Sequence, residues 1–228
     1  MFLFTLCGII SGFFIPFIAG RFGKIIPADP GTLLLNLFHR PRFPTVYDPA
    51  RGFLLRQLWK KLYLWAVFWA ITNGGFFALA YYLLPQSMIV YAGVLIWSLN
   101  VCTVIDAQYY LLPDFFTIPL LILGFIFHET LNVQNMSFAL TGAVCGYVVS
   151  ILSVLALGWA KNKELGAGDV KMMTALGAWL GLVGLNICLV LSFFLFILFS
   201  FLPTQKKGAY GPALGTAALI VFFILFSK

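Results

Sequence analysis

The chain alternates long apolar runs with short polar breaks. A helix needs about 20 apolar residues to cross a bilayer, and somewhat fewer where its ends are buried in protein. On that measure the pattern predicts eight spans. The first three run from about Phe2 to Gly20, from Leu62 to Leu84, closed by Pro85, and from Ser87 to Ile105, ended by Asp106. A short fourth follows Leu112-Pro113-Asp114 and reaches about Phe127, and a fifth covers Met136 to Ala160. Val170 to Leu202 holds two, with a turn near Gly184 to Asn186, and the last runs from Gly211 to Phe226. The remaining long stretch, Arg21 to Lys61, carries Pro27, Pro30, Pro41, Pro44 and Pro49 and reads as irregular until its end. There Leu54, Leu55, Leu58, Trp59 and Leu62 share one helical face while Arg56 and Lys60 take the other. That pattern predicts a helix at headgroup level leading into the second span. The expected fold is all-α: a polytopic transmembrane helix bundle of about eight spans with one basic cytoplasmic loop.

Composition removes the soluble alternative, because the 228 residues are 62% hydrophobic and only 9% charged, with a mean hydropathy of +1.01. Met1 to Gly20 carries no charge and is followed by Arg21, so it reads as a retained first span and not as a cleaved signal. The net charge of +7 follows from topology. With the loop Arg21 to Lys61 in the cytoplasm, thirteen of the fourteen basic residues fall on that side and only Lys228 on the other. Lipid, and no nucleic acid, is therefore the expected surrounding, although the loop could also serve as a basic docking surface for an acidic segment. Both termini would face the periplasm or exterior. Cys7, Cys102, Cys145 and Cys188 are isolated within apolar runs and read as packing residues, with no CxxC pair for a metal.

Seven acids remain to be explained. Asp29, Asp48 and Glu164 sit among basic loop residues, and Glu129 with His128 closes the fourth span, where solvent exposure accounts for both. Asp106 and Asp169 differ, since one ends an apolar helix and the other opens one on the same predicted side. Acids in such places usually face a water-filled cavity. Two carboxylates sharing a site hold one proton between them near neutral pH. An aspartic protease uses that state: the ionised partner takes a proton from water while the protonated one polarises the scissile carbonyl. Capping or snorkelling acids at helix ends are the plainer reading. Gly166 and Gly168 add weight to catalysis, because they let the backbone adopt unusual angles and let a substrate strand approach beside Asp169.

Leu165 to Gly181, LGAGDVKMMTALGAWLG, and Val104 to Leu121, VIDAQYYLLPDFFTIPLL, resemble the two signature regions of the bacterial type IV prepilin peptidases, intramembrane aspartyl proteases of the GxGD type. Gly208 to Gly215, GAYGPALG, is similar to the segment opening that family's last span, and Gly12 to Arg21, GFFIPFIAGR, to the segment ending its first. The resemblance implies that Asp106 and Asp169 are the catalytic pair and that Gly166 and Gly168 shape the turn bearing Asp169. Asp114 matches an acidic motif position and has a supporting role or caps the fourth span. Lys171 also matches, and either holds Asp169 ionised through charge proximity or is a positive-inside lysine. Gly177, Gly181, Gly211 and Gly215 have small-xxx-small spacing and are read as helix packing.

The same resemblance divides the chain into residues 1–84, the N-terminal spans and cytoplasmic loop, and 85–228, an aspartyl peptidase core. Its departures matter too. Many members carry paired CxxC motifs in the first loop that bind zinc, and methylate the new pilin N-terminus with S-adenosylmethionine. Arg21 to Lys61 has no cysteine, and Pro16 stands where the family usually has asparagine. The peptidase reaction is expected to need no metal or cofactor, and S-adenosylmethionine enters only if methyl transfer is retained. The implied function is leader removal from type IV prepilins or pseudopilins, with a glycine just before the scissile bond, at the cytoplasmic face of the bacterial inner membrane. A proton-coupled transporter using intramembrane carboxylates and a non-catalytic membrane scaffold are the other classes.

Overall fold

The computed structural model of the chain describes residues 1–22, 49–110, 112–160, 167–200 and 210–228. Among these residues the elements are α1 (Phe2–Phe22), α2 (Pro49–Leu83), a 3₁₀ turn (Gln86–Met88), α3 (Ile89–Tyr109), α4 (Asp114–Leu131), α5 (Met136–Ala160), α6 (Ala167–Ser200) and α7 (Gly211–Phe226). Helices follow from the apolar runs, because a backbone in hydrocarbon must satisfy its own N–H and C=O groups. Six are long and apolar enough to cross a membrane, and α7 is a shorter apolar helix. The chain is a multi-pass membrane protein. Most of the basic loop, and Gly166 with it, lies outside the described residues. Residues 51–62 are helical as expected, but continuous with the second span in one helix of 35 residues.

The longest apolar span lies in α6 and accounts for two of the expected spans. Gly181 breaks it, with φ +67° and ψ −177°. Along the first limb, Trp179 meets Phe222 of α7, and Asp169 lies within electrostatic reach of Tyr210, just before α7 begins. That limb therefore runs parallel to α7. Along the second limb the order inverts: a Cβ on Gly184 would meet Leu225, while Ser192 bonds to Tyr210. The two limbs are antiparallel, so α6 is a helical hairpin closed by a single residue. The break comes three residues before the turn expected at Gly184 to Asn186. Its place is set by α5, whose Phe138 ring stands 2.2 Å from where a Gly181 Cβ would project. Counting both limbs and α7, the described residues contain the eight apolar segments that the hydropathy pattern predicts.

Two groups of helices build the bundle. In the first, α1, α2 and α3 pack together, joined inside the apolar core by polar bonds. Asn73 Nδ2 donates to the Gly8 carbonyl at 2.8 Å and to Ser11 Oγ at 3.0 Å. Asn100 Nδ2 donates to Asn73 Oδ1 at 2.9 Å. Such bonds fix helix register where apolar contact alone does not. The second group is α4 to α7, with α5 pressed on the first limb of α6 so closely that Gly142 and Gly177 each leave no space for a Cβ beside the other's carbonyl. The α3 helix reaches this group through α7 and α4.

Three local expectations change. The α3 helix continues past Asp106 to Tyr109, so this acid lies within the last turn and not at its end. His128 is not solvent-exposed: it has no accessible surface, and only Glu129 beside it is exposed. Its ring lies among Phe127, Phe138 and Phe226, and Nε2 lies 3.2 Å from the Trp179 carbonyl. That carbonyl belongs to the last turn before the Gly181 break, where helix carbonyls lose their own donors. Cys7 faces outward, whereas Cys102 and Cys188 are buried as packing residues.

Candidate active site

The end of α3 is fixed by its own sequence. Tyr110 adopts the left-handed conformation, φ 56°, and returns its N–H to the Asp106 carbonyl at 2.9 Å, which closes the helix. The Asp106 side chain is 6% exposed. Its Oδ2 accepts the Gly211 backbone N–H at 2.7 Å. The physical reason lies in α7, whose first N–H groups have no acceptor within the helix. Pro212 removes one such donor by having none, and Gly211 gives its own to Asp106. A Cβ on Gly211 would lie 2.6 Å from that same Oδ2 and 2.8 Å from the Asp106 Cβ, so only glycine fits here. Gly211, read from its spacing as a packing residue, is the hydrogen-bond donor to an expected catalytic acid. Gly215 packs against Thr103 as that spacing suggests.

Asp169 stands in the first turn of α6 and is half-buried. It shares with Asp106 the end of the bundle where Tyr210 and Gly211 begin α7: Asp106 holds the Gly211 N–H, and the Asp169 charge acts on the Tyr210 phenol. Burial pushes that phenol up from its ordinary value. The negative charge of Asp169 adds to the upward push.

Leu112, in the connection from α3 to α4, packs on Gly168. A Cβ on Gly168 would lie 2.8 Å from the Leu112 Cβ and 3.0 Å from the Leu112 carbonyl oxygen. The space at Gly168 that was expected to admit a substrate strand is filled by Leu112. Asp114 does not cap α4, whose N-cap residue is Pro113, without a side-chain bond. Instead Asp114 Oδ2 accepts from Lys171 Nζ at 2.6 Å, both side chains being exposed. This pair and the Leu112–Gly168 contact hold the starts of α4 and α6 together, so Asp114, Lys171 and Gly168 converge beside Asp169. Tyr210 and Ser192 were not expected here. Tyr210 lies within the family-like segment Gly208 to Gly215 and immediately precedes the Gly-Pro that opens α7, whereas the sequence carried no signal for Ser192.

The type IV leader peptidase family profile matches residues 93–201, a stretch holding both Asp106 and Asp169. Residues 93–201, just under half of the chain, are thus similar to the type IV leader peptidase family. This segment and its flanks are similar to several curated proteins. A prepilin leader peptidase/N-methyltransferase of Klebsiella pneumoniae is 38% identical over 117 residues, 49% of this chain and 50% of the relative. One of Neisseria gonorrhoeae is 32% identical over 157 residues, 67% of this chain and 55% of the relative. The leader peptidase HopD of Escherichia coli is 46% identical over 77 residues, 32% of this chain and 48% of the relative. The chain spans about half the length of the curated relatives it matches. No solved structure matches it.

The zinc pairs implied by the family resemblance do not fit this chain. Its first loop has no cysteine, and its four cysteines are free on α1, α3, α5 and α6.

Proposed function

We propose that this protein is a membrane-embedded aspartic endopeptidase that removes the basic leader of type IV prepilins or pseudopilins at the cytoplasmic face of the bacterial inner membrane. The observation that carries this reading is the buried Asp106 carboxylate, held by the Gly211 N–H at the same end of the bundle as Asp169. Both acids fall inside the family match.

A substrate of this kind has positive residues in the cytoplasm and an apolar helix in the bilayer, so the bond between them lies at the depth of the two acids. Catalysis follows from their shared proton. The ionised carboxylate takes a proton from water as the oxygen attacks the scissile carbonyl, while the protonated carboxyl donates to the carbonyl oxygen. With an N–H already directed at Asp106 Oδ2, that oxygen acts as an acceptor, and any proton carried by Asp106 resides on Oδ1. Leu112 over Gly168 and the Asp114–Lys171 pair hold the turn that carries Asp169. The reaction requires water and two carboxylates and no metal, and no methyl-transfer step is derived.

The test is cleavage of a candidate prepilin in membranes by wild type, Asp106→Asn and Asp169→Asn at matched protein levels. Each substitution is expected to lower the rate by about 10²–10⁴-fold, the usual contribution of a positioned acid or base. Full processing by either variant refutes the two-aspartate mechanism and returns the chain to the transporter or scaffold classes. Cleavage in inverted but not right-side-out vesicles checks the side, and the mass of the mature N-terminus reports any methyl transfer.

A further inference from the structure

The phenol of Tyr210 is a polar group at the site to which the proposed mechanism gives no work. Its partner, Ser192, is completely buried on the second limb of α6. Ser192 Oγ donates to the Leu189 carbonyl at 2.8 Å, and it also contacts the Tyr210 hydroxyl. A serine hydroxyl has one hydrogen. That hydrogen is committed to Leu189, so the Tyr210 O–H is the donor and Ser192 Oγ the acceptor. One turn further along the limb, Phe196 packs across the Tyr210 ring, with centroids 5.6 Å apart at 63°. The second limb of α6 thus grips Tyr210 at both its ring and its hydroxyl. The next residue is Gly211, whose N–H reaches Asp106 through a contact too tight for a Cβ.

The structure assigns to Tyr210 a positioning role: anchored on Ser192, it holds the Gly211 N–H against Asp106 and so sets the geometry of the carboxylate pair. This rests on the reading of Asp106 and Asp169 as that pair. The groups facing Tyr210 are Ser192 and Cys188 on the second limb of α6, Asp169 on the first, and, through Gly211, Asp106 on α3. Because the phenol is pushed up from its ordinary value, principally by burial, Tyr210 remains a neutral donor wherever carboxylates titrate. A change in the acid limb of the pH–rate profile on losing its hydroxyl therefore comes through the carboxylates.

The experiment compares the full chain in membranes as wild type, Tyr210→Phe, Ser192→Ala, the double variant and Asp106→Asn, using a prepilin substrate. Tyr210→Phe keeps the ring against Phe196 and loses only the hydroxyl. It is expected to lower kcat by about 10- to 100-fold, the scale of a small misplacement of reacting groups, to leave KM nearly unchanged, and to shift the acid limb of the profile. Ser192→Ala should move both quantities in the same direction, and the double variant should be no worse than Tyr210→Phe, because the two substitutions break one bond. An inactive Asp106→Asn beside a Tyr210→Phe with wild-type rate and profile overturns the positioning role while leaving the aspartate pair standing. A slower Tyr210→Phe with an unmoved profile, or costs that add in the double variant, also overturns it. Should Tyr210→Phe not accumulate, Ser192→Ala decides by the same profile. Full activity of Asp106→Asn removes the underlying reading itself.

Discussion

Around Asp106 the contact that holds the carboxylate comes from a distant part of the chain: an N–H from 105 residues away holds one oxygen, and a missing side chain at Gly211 makes the approach possible. Around Asp169 the constraints act on its flanks. Leu112 fills the space over Gly168, and an exposed lysine–aspartate pair spans the starts of α4 and α6. One carboxylate is enclosed and the other half-exposed. A two-carboxylate mechanism benefits from that difference, since one acid can stay fixed and dry while water reaches the pair from the side of the other.

The sharpest way to break this comparison is to lengthen each acid by one methylene. Asp106→Glu has no space beside Gly211 and should lose cleavage as fully as Asp106→Asn, by about 10²–10⁴-fold. Asp169→Glu should keep measurable activity, and equal losses at the two positions would remove the asymmetry. Gly211→Ala comes next. Its Cβ forces the N–H off Asp106, and a displacement of that size is expected to lower kcat by about 10- to 100-fold without changing the amount of folded protein in the membrane. Labelling by a water-soluble carbodiimide sharpens the same contrast, with Asp169 modified faster than Asp106 as read by peptide mass. The smallest effect belongs to the exposed pair. Asp114→Asn and Lys171→Gln should each cost at most about 1 kcal/mol, as exposed ion pairs do, with the double variant no worse than either single one.

The apolar runs alone revealed the membrane class and all eight segments, because segment length and the backbone's need for internal hydrogen bonds leave few alternatives. Both acids, and the same predicted edge for each, were also legible. What stayed hidden was contact between remote residues. Gly181 read as a packing residue and Gly184 as the turn, yet the hairpin turns at Gly181 because of Phe138 and Gly142 on α5. His128 read as exposed because, with Glu129, it closes the fourth span. Its burial depends on the rings of Phe138 on α5 and Phe226 on α7 and on a carbonyl released by the Gly181 break. Gly211 and Gly215 share one spacing pattern, yet one meets a carboxylate and the other Thr103.

The early turn at Gly181 also bears on how this protein responds to its lipid. The first limb, residues 167–180, is about 21 Å long at 1.5 Å per residue, well short of a hydrocarbon core of about 30 Å. From residue 168 to 180 only Lys171 is exposed, so α4, α5 and α7 shield the limb and the mismatch falls inside protein. The height of Asp169 is thereby set by the surrounding helices and decoupled from bilayer thickness. Reconstitution into bilayers of shorter or longer acyl chains should leave the cleavage rate nearly constant, even as the lipid-facing second limb of α6 changes its tilt.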